Sequence, residues 1–175
     1  VGKDETGLIL YYAKTHERIR LEGGYPYEVL FEDGTKWTQS KMMGMNPVIL
    51  GTDGDDTIIN SNPKGGETVY IGARGDDKIY GADYDDTFVW NLGDGNDIIN
   101  VSNANYNTNR DILKFGEGIL PSDVYVSMSG ENDLCFVIEK TGEKITIPGW
   151  YEHFYRISHR LSEVHFTDGT VWTQT

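Results

Sequence analysis

Four aspartates with the same local surroundings are the residues best placed to do chemistry. Asp56, Asp77, Asp86 and Asp97 each stand just ahead of an apolar residue, Ile58, Ile79, Phe88 and Ile98 in turn. Each also closes a short polar turn: GTDGDD from Gly51, GARGDD from Gly72, GADYDD from Gly81 and LGDGND from Leu92. A lone pair of carboxylates would suit acid and nucleophile roles in glycoside hydrolysis. Here the pattern recurs along the chain, whereas an active site is normally one asymmetric constellation. Repeated carboxylates set among turn carbonyls offer hard oxygen ligands, which suit a cation.

A nine-residue unit with fixed glycines and one inward apolar residue alternates a tight turn with a very short strand. Glycine permits the turn's unusual dihedrals and lets neighbouring backbones approach. Two units then make one coil of a right-handed parallel β-roll, and each turn lies over the turn two units earlier. Numbered by their carboxylates, the units are Asp56, a degenerate one centred on Glu67, Asp77, Asp86, Asp97 and a last one at Asp111 in NRDILKF. Stacking pairs Asp56 with Asp77, Glu67 with Asp86, Asp77 with Asp97, and Asp86 with Asp111. Like charges held so close are unfavourable unless a cation lies between them. Six to eight oxygens at about 2.3–2.6 Å form the Ca²⁺ arrangement, whereas Mg²⁺ needs a tighter octahedron and keeps its waters. The expected cofactor is therefore Ca²⁺, about two to four ions. Expected metal-site residues are Gly51, Asp53, Asp56, Glu67, Gly72, Arg74, Gly75, Asp77, Gly81, Asp83, Asp86, Gly93, Gly95, Asp97 and Asp111.

Charge agrees with that chemistry. Residues 51–100 carry eleven acidic side chains against Lys64, Arg74 and Lys78, so this stretch contributes -8 of the chain's formal -13. Such a field repels nucleic acid and anionic membranes and attracts cations. Twenty-one Trp, Tyr and Phe residues are too much core material for a disordered acidic tail. The single cysteine, Cys135, has no internal disulfide partner. No apolar run approaches a membrane span. The sequence opens on Val1 without a signal-like segment, as a piece of a longer chain would.

The glycine–aspartate block resembles the RTX, or haemolysin-type calcium-binding, nonapeptide repeat GGxGxDxUx, over about residues 51–100. The flank DILKFGEGILPSDVYVS…KITIPGWY…HFTDGTVW resembles the haemolysin-type calcium-binding-related domain that follows such repeats in secreted bacterial proteins. These resemblances imply a chain exported unfolded by Gram-negative type I secretion, to an extracellular setting where millimolar calcium folds it. Two departures stand out. NSNPKGGETVYI, with Pro63 and Glu67, replaces a standard second unit, and Tyr84 takes the place of a turn glycine.

Both flanks read as short strands. The first 40 residues suggest strands at Leu8–Ala13, Arg18–Leu21, Tyr27–Phe31 and Thr35–Thr38, with a hairpin turn at Asp33-Gly34. Lys41–Val48 reads as a linker. Further strands are expected at Val124–Met128, Leu134–Ile138, Lys144–Ile147, Glu163–Phe166 and Thr170–Trp172, with a helical turn at Gly149–Tyr155. The two ends are related to each other. LILYYAKTHERIRL, from Leu8, aligns with LCFVIEKTGEKITI, from Leu134, and FEDGTKWTQ, from Phe31, shares seven of nine residues with FTDGTVWTQ, from Phe166.

The expected architecture is all-β: a short parallel β-roll of the RTX type, capped at both ends by small antiparallel β elements. Its expected divisions are an N-terminal cap and linker at 1–48, the repeats at 49–103 and a C-terminal cap at 104–175. The expected role is a calcium-responsive folding module within a tandem array, with neighbouring modules of the parent protein as partners. An alternative is an adhesive module in which Trp37, Trp150, Tyr151, Tyr155 and Trp172 face carbohydrate or a cell surface, although aromatics also dominate cores. His153, His159 and His165 are general-base candidates, yet no nucleophilic triad accompanies them. Cys135, in mid-strand, suits a small buried hydrophobe. The expectation is a non-catalytic fragment.

Overall fold

A computed structural model describes residues 2–4, 7–12, 17–22, 26–43, 46–60, 66–101, 109–151 and 160–174. The chain forms two compact units, Val1–Val48 and Ile49–Thr175. Both are mostly β. Among the described residues no helix is long and apolar enough to cross a membrane.

In the first unit, β1 (Gly2–Asp4), β2 (Gly7–Tyr12) and β3 (Glu17–Glu22) form an antiparallel sheet in that order. β4 (Glu28–Leu30) and β5 (Lys36–Thr38) make a separate hairpin. Its turn holds Gly34 at φ 83°, and the Thr35 N–H donates to Asp33 Oδ1 at 2.7 Å. One correction falls here. The expected linker from Lys41 overlaps a short helix, α1 (Gln39–Met43), whose Lys41 N–H is received by Thr38 Oγ1. Met42 is buried, which gives this turn an apolar anchor.

The second unit contains two six-stranded mixed sheets. Strands of three or four residues alternate between them: β6 (Val48–Leu50), β8 (Val69–Ile71), β10 (Thr87–Trp90) and β12 (Ile112–Phe115) belong to one. β7 (Thr57–Ile59), β9 (Lys78–Tyr80) and β11 (Asp97–Asn100) belong to the other. The ladders β8–β10–β12 and β7–β9–β11 are parallel. The strands stay short because an acidic or glycine-bearing turn interrupts the chain after every few apolar residues.

Both ladders continue into the C-terminal residues. β15 (Lys144–Ile147) pairs parallel with β11, and β16 (Glu163–His165) pairs parallel with β12. From there pairing turns antiparallel, through β14 (Asp133–Ile138) to β13 (Val124–Ser129) in one sheet and to β17 (Val171–Thr173) in the other. A 3₁₀ turn at Pro121–Asp123 leads into β13. Of the expected helical turn at Gly149–Tyr155, residues 149–151 form a turn and the rest lies outside the described residues.

One apolar core fills the space between the two sheets. Ile58, Ile79 and Ile99 come from one sheet, and Tyr70, Phe88 and Leu113 from the other. Tyr70 and Phe88 stack at 5.2 Å, and Phe115 stacks on Phe166 at 5.1 Å. The expected inward residue of the fifth unit, Ile98, is corrected to Ile99, which is 1% exposed and lies opposite Ile79. Side chains alternate along a strand, so with Asp97 turned inward at the strand start, the residue two positions on must share its side.

Candidate metal centre

The turns stack with the strands, and the parallel registers fix which carboxylates meet. Ahead of β7, β9 and β11, one column runs Asp56, Asp77, Asp97. Asp77 Oδ1 accepts the Asp56 N–H at 2.8 Å, and Asp97 Oδ1 accepts the Asp77 N–H at 2.9 Å. Ahead of β8, β10 and β12, the other column runs Thr68, Asp86, Asp111. Asp86 Oδ1 accepts the Thr68 N–H at 3.3 Å, and Asp111 Oδ1 accepts the Asp86 N–H at 2.9 Å. The backbone bonds repeat the same step, with the Asp56, Asp77 and Asp86 carbonyls accepting the N–H groups of Lys78, Ile98 and Ile112.

Glu67 does not occupy its expected place in this series. Its side chain is exposed, and the residue opposite Asp86 is Thr68, which is 1% exposed. The lengthened second unit, twelve positions from Asp56 to Thr68 against nine from Asp77 to Asp86, shifts the register by one from Glu67, so that Tyr70 points inward and Thr68 shares its side. The Glu67–Asp86 pairing is thereby corrected to Thr68–Asp86.

A second ladder lies beside the first and runs the opposite way. Asp55 Oδ1 accepts the Asp76 N–H at 2.9 Å, Asp76 Oδ1 accepts the Asn96 N–H at 2.8 Å, and Asp85 Oδ1 accepts the Arg110 N–H at 2.9 Å. In the pairs of Asp56 with Asp77, Asp77 with Asp97 and Asp86 with Asp111, the earlier turn's outer carboxylate takes an amide from the later turn, and the later turn's inner carboxylate returns the contact. Asp55, Asp76, Asp85 and Asn96 are absent from the residues expected from sequence. The signal was the doubled acidic residue in TDGDD, ARGDD and DYDD, with Asn replacing the first Asp in DGND.

Glycine lets these turns stack closely. A Cβ on Gly51 would lie 2.2 Å from the Gly72 carbonyl oxygen, and one on Gly95 would lie 2.2 Å from that of Gly75. Gly75 itself, at φ 123°, rests against the Gly54 backbone, where a Cβ would meet C at 2.6 Å and O at 2.7 Å. Gly81 lies against Asp86 Oδ2 and the Phe88 ring. Gly93 is exposed and its N–H reaches Glu143 Oε2 at 3.3 Å.

The structure does not bring every expected residue into the columns. Asp53 and Arg74 face each other on the surface, with Oδ2 3.9 Å from Nη1, and Asp83 is half-buried in the turn before Asp86. Conversely, Asp94 was not expected, yet it is fully buried and its Oδ2 takes both the backbone N–H and the Nδ2 of Asn91.

Electrostatics single these carboxylates out. Among the described residues, the charged side chains that are buried are all aspartates: Asp77, Asp86, Asp94, Asp97 and Asp111. Burial first, then neighbouring carboxylates, pushes Asp77 and Asp86 up to about 6, Asp94 to about 7 and Asp97 to about 8. Backbone donors partly offset this rise at each of them.

Asp77 differs from Asp56 and Asp86 in one atom. Asp56 Oδ2 accepts from Thr52, and Asp86 Oδ2 accepts the Ala82 N–H at 2.7 Å, each from four residues earlier. The corresponding residue for Asp77 is Ala73, which takes φ 73° and does not supply that bond. Asp77 Oδ2 is left buried with no hydrogen-bond partner, only 2.2 Å from where a Gly72 Cβ would be. Among the described residues, no three His, Cys, Asp or Glu side chains converge on one point. Successive carboxylates are linked through backbone N–H bonds, one turn to the next.

The remaining candidates have structural partners. Trp150 and Trp172 pack against the core, with Arg160 over the Trp150 ring and Phe166 edge-on to Trp172 at 4.7 Å. Trp37 meets Phe31 at 4.8 Å, and Tyr151 is exposed. His165 Nε2 lies 2.6 Å from Glu163 Oε2, and buried Cys135 contacts Thr146 Oγ1. Tyr155, His153, His159 and Pro63 lie outside the described residues.

Fold and site together define a class: mixed β sheets whose glycine turns stack carboxylates in register. Residues 133–175 match the haemolysin-type calcium binding protein related domain. That segment holds β14–β17, which extend the two ladders. No curated protein matches the chain.

Proposed function

We propose that the Ile49–Thr175 unit is a calcium-dependent folding module, a short β-roll of the RTX type closed by the antiparallel strands of its C-terminal end. The observation that carries this reading is the buried, unpartnered Asp77 Oδ2, placed between Asp56 and Asp97 among close-packed turn glycines. A buried carboxylate oxygen without a partner is costly, and a cation is the partner that this set of hard oxygens fits. Asp77 with Asp56, Asp77 with Asp97, and Asp86 with Asp111 are the pairs that would hold it, aided by turn carbonyls such as those of Gly51 and Gly72. The bound ion would supply positive charge where the fold buries only negative charge. Its binding energy becomes folding energy, because the columns exist only once the turns have stacked.

The setting comes from the resemblance of the repeats to the RTX type, which implies export from a Gram-negative cell by type I secretion; sites of about 10⁻⁴–10⁻³ M, as in extracellular calcium modules, would then fill outside the cell. The unit serves as a structural part of a larger secreted protein. Its role is non-catalytic, since its carboxylates form regular columns and its histidine and cysteine side chains, where described, have packing partners. The test is circular dichroism and calorimetry of the chain in EDTA-treated buffer, titrated with Ca²⁺. Cooperative gain of β signal with saturable heat is expected. A chain already cooperatively folded and indifferent to calcium refutes the proposal.

A further inference from the structure

The two ends of the chain are copies in structure as well as in sequence, down to their registers. Leu8 faces Leu21 and Leu10 faces Ile19 in β2–β3, as Leu134 faces Ile147 and Phe136 faces Ile145 in β14–β15. Val29 faces Trp37 in β4–β5, as Val164 faces Trp172 in β16–β17. The turns match as well. Gly34 and Gly169 take φ 83° and 89°, and Thr35 and Thr170 donate to Asp33 and Asp168 at 2.7 and 2.8 Å. Phe31–Trp37 and Phe166–Trp172 are edge-on at 4.8 and 4.7 Å.

The copies differ in what lies beside them. β15 and β16 are flanked by β11 and β12, whereas β3 ends its sheet and β4 pairs only with β5 among the described residues. Exposure follows this difference. Ile19 is 59% exposed where its counterpart Ile145 is 0% exposed. Leu30 and Tyr27 are also exposed, and Val29 is half-buried where Val164 is buried. A strand edge with apolar residues around it is a template for another strand.

We propose that the edges of β3 and β4 dock the terminal rung of a second run of glycine–aspartate repeats: two parallel strands of the Asp-x-apolar type, as β11 and β12 are. The register is fixed by the duplicate. Asp97 faces Ile145, so the incoming aspartate faces Ile19, and the second strand sits against Glu28, Val29 and Leu30 as Ile112, Leu113 and Lys114 sit against Glu163, Val164 and His165. A second copy of this chain is not that occupant, because its own β11 and β12 already pair with β15 and β16. The rung comes from repeats outside these 175 residues.

The experiment supplies the rung. Residues 49–125 are fused ahead of Val1 of the whole chain, a junction set by Gly2, which faces Ile9 as Ser127 faces Cys135. Hydrogen exchange is then followed in calcium buffer at residues 17–22 and 28–30. At least tenfold slower exchange in the fusion than in the chain alone is expected. Ile19→Asp in the fusion should abolish that slowing and leave residues 144–147 and 163–165 as protected as before. Unchanged exchange at 17–22 and 28–30 overturns the proposal. So does slow exchange there in the unfused chain that depends on concentration, which would make a second copy the occupant. Protection at 144–147 with and without calcium reads the folding proposal separately, so the two ideas fail independently.

Discussion

Replacing Asp77 by Asn should stabilise the metal-free fold and remove stability that calcium supplies. The Asp77 carboxyl is pushed from 3.8 to about 6, chiefly by burial. At about 1.4 kcal/mol per tenfold change in acidity, keeping it ionised at pH 7.5 costs the metal-free fold about 3 kcal/mol. The substituted amide removes that charge and still offers an oxygen to the Asp56 N–H, which Asp77 Oδ1 receives at 2.8 Å. In EDTA the variant should therefore melt higher, by up to about 10 °C for a domain of this size. With calcium that advantage is cancelled. Asp77 belongs to two carboxylate pairs, and at 10 mM Ca²⁺ a site of about 10⁻³ M contributes about 1.4 kcal/mol. Losing two sites forfeits about 3 kcal/mol of calcium-linked stability. Asp56→Asn touches one pair and should forfeit about half as much. The assay is thermal unfolding by circular dichroism at pH 7.5, in EDTA and in 10 mM Ca²⁺, for wild type and both variants. A D77N protein that melts lower in EDTA and keeps the full calcium shift would refute the reasoning.

Other outcomes follow from the same geometry. Asp77, Asp86, Asp94 and Asp97 all titrate above their unfolded value of 3.8, at about 6, 6, 7 and 8. The folded chain thus holds protons that the unfolded chain releases; their stabilisation is complete below about pH 4 and lost as pH rises through 6 to 8. Melting in EDTA should fall over that window, and calcium, which displaces those protons, should flatten or reverse the fall. Gly75→Ala, at φ 123° against the Gly54 backbone, should cost at least about 2 kcal/mol by urea unfolding, whereas Gly54→Ala, whose Cβ meets only Thr52 Oγ1 at 4.0 Å, should stay within about 0.5 kcal/mol. Thr68→Asp completes the second column opposite Asp86; calorimetry should gain a calcium site, and the metal-free protein should melt lower. Glu67→Gln should leave the calorimetric stoichiometry unchanged.

Much of this protein is legible in its sequence, because the signals are local and repeated. The spacing of Asp56, Asp77, Asp86, Asp97 and Asp111 states which carboxylates stack, since identical units can superpose only in register. FEDGTKWTQ and FTDGTVWTQ likewise announce two copies of one hairpin. Where the repeat degenerates, reading by residue type fails. Glu67 carries the right charge, but the inward side at that point belongs to Thr68, which strand alternation with Tyr70 selects. Ile98 and Ile99 are chemically equal, and only pairing with Ile79 decides between them. The opposed ladder through Asp55, Asp76 and Asp85 consists of contacts between residues about twenty positions apart, whose direction no local pattern encodes. The lone oxygen of Asp77 depends on the dihedral of Ala73 in the turn before it. Composition and period determine that carboxylates stack in columns; tertiary structure alone decides which of their oxygens the backbone satisfies.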